Sequence, residues 1–162
     1  MDAVDVFIGY LLLDVLVENT DRHHENWGVV RSPNGTVHLA PTFDHASSLG
    51  CHLTDERKAE RLYTADRNYT AAAFAAKARS ALYRHELDTR PLLTVEAFLE
   101  AARHKPAAAV YWLELLNTVT DEEIAIILSS VPRERISDTA AEFANQLILI
   151  NKKRSVELKK DL

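Results

Sequence analysis

The chain has 162 residues, enough to bury one domain-sized core, and a net charge of -5 that is the wrong sign for gripping a phosphate backbone. With 47% hydrophobic and 27% charged residues, only 4 Gly and 5 Pro, and a single cysteine, it is not a disordered chain, a collagen-like repeat or a disulfide scaffold. Direct nucleic-acid binding is not expected, and one cysteine with no cleavable leader points to the reducing cytoplasm.

The first predicted element is a helix over Ala3 to Val17. It is apolar on nearly every face, with Asp2 and Asp5 where a helix N-terminus favours negative charge. Its most apolar stretch, Val6 to Leu13, lies between Asp5 and Asp14 and falls well short of the roughly 18 to 20 residues a membrane span needs, so no membrane partner is expected. Glu18 to Asn26 is polar and aperiodic. Trp27 to Arg31 and Thr36 to Ala40 are short, β-branched runs joined by Ser32-Pro33-Asn34-Gly35, which predicts a hairpin.

Everything after Thr54 reads as helix: Thr54 to Tyr63, an alanine-rich run from Tyr69 to Tyr83, Thr94 to His104, Pro106 to Thr118, Thr120 to Ser130, and Ser137 to Lys160. Thr120 and Glu123 have capping-box spacing, Thr94 and Ser137 are candidate N-caps, and Pro106 and Pro132 mark breaks. The alanine-rich run reads as close helix packing, and Lys152-Lys153-Arg154 as a solvated face. The predicted fold is therefore mainly α, a single domain over residues 1–162 with one short β-hairpin, and no internal boundary or repeat.

The chemistry concentrates around that hairpin. Asp21 and Asn26 are separated by the interval that, in a protein-kinase catalytic loop, separates the aspartate that takes the hydroxyl proton from the asparagine that binds the metal. Four intervening residues let both side chains face one cleft. If Asn34-Gly35 is a two-residue turn, strand pairing sets Asn26 beside Phe43, next to Asp44, and a longer loop shifts this only slightly. An amide oxygen and a carboxylate on neighbouring strand ends are hard ligands suited to Mg²⁺ bridging nucleotide phosphates. Asp44 then takes the place of the kinase metal-binding aspartate, and Asn26 and Asp44 are the candidate cofactor and metal ligands.

The order Asp21-Arg22-His23 departs from the His-Arg-Asp of ordinary protein kinases. It is distantly similar to phosphatidylinositol 3/4-kinases and more closely to the bacterial HipA family, which the runs Asn19 to Gly28 and Leu39 to Gly50 both resemble. The resemblance covers about a fifth of the chain and implies a two-lobed Ser/Thr protein kinase using ATP and Mg²⁺. On it, Asp21 is the catalytic base, Asn26 and Asp44 hold the metal, and the helical remainder forms the C-lobe. His23 joins Asp21 as a candidate catalytic residue, its expected part being to donate a hydrogen bond that organises the loop. No G-x-G-x-x-G run occurs and the first lysine is Lys58, so the phosphate-covering N-lobe is expected to be missing from this chain. A separate N-lobe polypeptide, a relic, and a piece cut from a longer kinase all fit. The expected partners are that N-lobe or an antitoxin, as in toxin-antitoxin pairs, and a protein substrate with a Ser or Thr hydroxyl.

Competing readings are weaker. Singly, Asp21, Asn26 and Asp44 are ordinary turn and cap residues. His23, His24, His45, His52 and Cys51 match no zinc template, and Ser47 and Ser48 beside His45 lack a nucleophile elbow. A different class of function also fits, a non-catalytic helical protein-binding module derived from such a kinase.

Overall fold

The computed structural model describes residues 1–162, the side chain at position 161 excepted. Its elements are α1 (Ala3–Val17), β1 (Val29–Arg31), β2 (Val37–Leu39), α2 (Asp55–Tyr63), α3 (Ala71–Ala75), α4 (Thr94–Ala102), α5 (Pro106–Thr118), α6 (Asp121–Ser129) and α7 (Asp138–Glu157), then a 3-10 turn over Leu158–Asp161. The fold is mainly helical with one antiparallel hairpin, as the sequence predicts. No helix among the described residues is long and apolar enough to cross a membrane.

Helix α1 is the centre of the molecule because it has no polar face to give to solvent. Ile8, Leu11, Leu12 and Val15 form a buried stripe with Phe98 and Ala102 of α4 and Ala109, Leu113 and Leu116 of α5. That i, i+3, i+4, i+7 spacing puts them on one side of the helix, and truncating a leucine in it removes about 2–5 kcal/mol. Its N-terminus is closed by Asp2 and Asp5 in a reciprocal capping box, each carboxylate accepting from the other's backbone N–H at 2.9 Å. Where α1 crosses α5, a Cβ on Gly9 would stand 2.5 Å from the Trp112 ring, so only glycine lets the indole lie against the backbone. Trp112 Nε1 donates to the Asp5 carbonyl at 2.7 Å.

A second, smaller core joins Leu53, Ala71, Ala75, Phe143 and Leu147. Helix α7 packs against α1, α2, α3, α5 and α6. Its buried side chains, from Phe143 and Ala144 through Leu147 and Ile148 to Asn151 and Ser155, keep a helical period along its whole length.

Three local expectations need correction. The alanine-rich run is helical only over Ala71–Ala75, not to Tyr83. Beyond it the chain turns to pair with the segment before α4. Ser80 and Thr94 N–H donate to the Leu92 and Ala78 carbonyls, and Ser80 Oγ donates to Leu92 O while accepting from Leu82 N–H. A buried serine that offers the backbone these partners outweighs alanine's helix propensity, which is a weak preference. Second, α4 is capped at Leu93, whose N–H donates to Glu96 Oε2 at 2.8 Å, so Thr94 is the first helical residue and not the N-cap. Ser137 and Thr120 do cap α7 and α6.

Third, the hairpin loop is one residue longer than the two-residue turn. Ser32 N–H donates to Thr36 O at 2.8 Å, and Pro33-Asn34-Gly35 turn between them with Gly35 at φ 86. A glycine in that left-handed conformation is what a three-residue hairpin loop requires. The strands then pair Val29 with Leu39 and Arg31 with Val37, and Ala40 N–H continues the register to Gly28 O at 2.8 Å. Extending it by two pairs sets Thr42, not Phe43, opposite Asn26.

Candidate functional site

The loop after α1 is built around a buried arginine. Helix α1 ends at Glu18 in the left-handed conformation, φ 54, with the Glu18 and Asn19 N–H groups closing onto Asp14 O. The chain then turns back beneath its own last turn. Arg22, fully buried, sends Nε to Asp14 Oδ2 at 2.8 Å and Nη2 to Asp14 Oδ1 at 2.7 Å. Asn19 Nδ2 also donates to Asp14 Oδ1 at 2.9 Å. The guanidinium spends its other donors on the site: Nη1 to the Asn26 carbonyl at 2.6 Å and Nη2 to Thr42 Oγ1 at 3.0 Å. One planar cation therefore fastens α1, both ends of the Asp21–Asn26 loop and the segment leading to Asp44. His45 stands beside it, its ring nitrogens 3.5 Å from Arg22 Nη2 and 3.0 Å from Thr42 Oγ1.

Within that frame Asn26 is buried and oriented. Its Nδ2 donates to the Asp21 carbonyl at 2.7 Å, while His23 N–H donates to the same carbonyl at 2.9 Å and Asn26 N–H to His23 O at 3.0 Å. Since an amide oxygen would be repelled by that carbonyl, the nitrogen must face it. Asn26 Oδ1 is left without a protein hydrogen bond among the described residues. The Asp21 backbone N–H donates to Asn19 Oδ1 at 3.2 Å, and its carboxylate is about half exposed, 3.7 Å from His23 Nε2. His23 Nδ1 accepts from Glu25 N–H at 3.2 Å, which leaves the ring proton of the neutral form on Nε2, facing Asp21.

Asp44 lies two residues past Thr42. It is exposed, at φ 54, and its carboxylate forms no hydrogen bond or ion pair among the described residues. Glu18, Asp44 and Leu49 are the non-glycine residues with positive φ among those described, and all three flank this loop cluster. Backbone strain of about 1–3 kcal/mol each is held at Glu18 and Leu49 by their N–H bonds to the end of α1, and is least at Asp44, an aspartate.

The side chains that sequence reasoning assigns to a metal are oxygen donors only, the Asn26 amide and the Asp44 carboxylate. That composition fits a hard cation that keeps part of its water shell. Among the described residues no three or more His, Cys, Asp or Glu side chains gather as a metal site, so His23, His24, His45, His52 and Cys51 do not form one cluster.

Sequence reasoning singled out Asp21, Asn26 and Asp44 but missed the groups that organise them: Asp14, Asn19 and Thr42. The signal for Asp14 was an acidic residue breaking an apolar helix eight positions before an arginine. Glu18 was also passed over. It is buried, accepts from Asn151 Nδ2 at 3.2 Å, and burial pushes its carboxyl up to about 7 against the opposing pull of Asn151, Arg154 and Arg61.

No family model matches the chain, and no curated protein matches it. Among solved structures, the crystal structure of the Helicobacter pylori proinflammatory kinase CtkA is similar to it with a TM-score of 0.70 at 22% identity, over 96% of this chain and 54% of that one. The chain thus spans about half the length of that kinase. At this identity the likeness concerns architecture, and the architecture is that of a kinase-like, C-lobe-type helical domain.

Proposed function

We propose that the chain is the C-terminal lobe of a HipA-like Ser/Thr protein kinase, transferring phosphoryl from ATP to a protein hydroxyl in company with an N-lobe. The observation that carries the reading is the Arg22 node, which ties the Asp21–Asn26 loop and the Thr42–Asp44 segment to one side of α1. In this reading Asn26 Oδ1 and the Asp44 carboxylate would hold Mg²⁺, which would supply charge neutralisation for the phosphates of ATP. Asp21 orients the attacking hydroxyl and takes its proton, and His23 Nε2–H steadies the Asp21 carboxylate. The bound cation would offset charge on the transferring group.

Isothermal calorimetry with Mg-ATP tests the reading. Nucleotide binding that needs the metal and is abolished by Asp44→Ala is expected. No heat at millimolar nucleotide would overturn it.

A second reading, a helical module that binds proteins without phosphotransfer, has one observation in its favour. The hairpin and its flanks expose Trp27, Val29, Val30, Val37 and Phe43, with Val29 and Val37 on one face of the ribbon and Val30 on the other. The same exposed ribbon would suit a separate N-lobe polypeptide, and the nucleotide titration separates the two.

A further inference from the structure

A cleft of about 280 Å³ opens beside the start of the site loop. Glu18 and Thr20 form one wall, Ser47 and His52 a second, and the chain leaving α3 at Lys77 and Arg79 a third. The cleft and the site share a backbone. Thr20 immediately precedes Asp21, and its N–H and Oγ1 both donate to the Ser47 carbonyl, at 3.1 and 3.3 Å.

The charge on its walls is uneven. Glu18 is turned inward, buried, bonded to Asn151 and faced by Arg154 and Arg61. Lys77 is exposed and enters no ion pair among the described residues. Arg79 is exposed and commits only Nη1, to the Pro91 carbonyl at 2.6 Å, so the rest of its fork is open. The accessible rim is therefore basic on a chain whose overall charge is -5. A general attraction for anions does not exist here, and any selectivity for acidic groups must be local.

We infer that this cleft receives the protein substrate next to its accepting hydroxyl, and that Lys77 and Arg79 select a carboxylate side chain there. The inference rests on the phosphotransferase reading for the identity of the occupant. A substrate whose hydroxyl meets Asp21 carries its neighbours across Thr20 into the cleft, since extended chain advances about 3.3 Å per residue. Guanidinium and ammonium groups on one rim match a glutamate or aspartate within a few residues of the acceptor.

The test is fluorescence anisotropy of the chain with labelled peptides holding a central serine between glutamates, glutamines or lysines. The glutamate peptide is expected to bind about tenfold tighter than the glutamine one at low salt, with the lysine peptide weakest. Lys77→Glu alone should erase most of that preference, and Lys77→Glu with Arg79→Glu should reverse it. Both side chains are exposed, so Mg-ATP binding should not change. Equal affinity for the three peptides, or an unchanged order in the variants, overturns the inference. If the peptide order and its reversal hold while Mg-ATP gives no heat, the acidic selectivity of the cleft stands and the phosphotransferase reading alone falls.

Discussion

Arg22 grips Asp14 with a two-pronged fork across the foot of α1, Nε to Oδ2 at 2.8 Å and Nη2 to Oδ1 at 2.7 Å, both side chains shut away from water. Lysine carries the same charge but cannot hold two carboxylate oxygens, the Asn26 carbonyl and Thr42 Oγ1 together. Arg22→Lys and Asp14→Asn are each expected to lower unfolding stability by about 3–5 kcal/mol, because each leaves a buried charge or acceptor unmatched. Urea denaturation measures this, and a loss below about 1 kcal/mol would show that the node is incidental.

Glu18 makes stability depend on pH. Its carboxyl is raised from 4.5 to about 7 by burial, so between those values the folded chain holds a proton that the unfolded chain has released. The Glu18 contribution to stability is expected to fall as pH rises through this window, by on the order of 3 kcal/mol in all, and it adds no slope below the window. Glu18→Gln keeps an oxygen for Asn151 and is expected to flatten the curve and to stabilise the chain at pH 8. Thermal melts from pH 4 to 8 would show it, and an unchanged slope in the variant would assign the dependence elsewhere.

The proposed division of labour at the loop separates by binding. Asp44→Ala is expected to abolish Mg-ATP binding and Asn26→Ala, the other proposed ligand, to weaken it about tenfold or more, whereas Asp21→Ala removes a base and should leave it within about twofold. Calorimetry on the three variants decides this. Equal losses in all three would mean that Asp21 is a ligand too, or that the loop has collapsed.

Gly9→Ala should destabilise although alanine is the better helix former. The propensity gain is about 1 kcal/mol, and the new methyl would meet the Trp112 ring at 2.5 Å, an overpacking cost of about 1–3 kcal/mol. A lower melting temperature with altered tryptophan fluorescence is the expected result.

Helices whose hydrophobic period or caps are local were legible in the sequence: α1 and α5 match their predicted spans residue for residue. The Asp21-to-Asn26 interval was legible too, because the two residues sit in one loop. The alanine run misled because its fate is decided by Leu92 and Thr94, distant in sequence, which pair with Ala78 and Ser80. The hairpin register missed by one because Asn-Gly suits two loop lengths, and the choice lies in the Ser32–Thr36 hydrogen bond. Asp14 escaped notice for a related reason. Its role exists only once the chain doubles back and brings Arg22 beneath the helix that contains it.

The guanidinium at the foot of α1 also bears on how the loop would meet a ligand. Its contacts are complete within the protein, so the conformational entropy of the Asp21–Asn26 turn is lost when the chain folds and not when a nucleotide arrives. Association should then leave amide exchange in this turn nearly unchanged and show little heat-capacity signature of ordering, the behaviour of a rigid receptor.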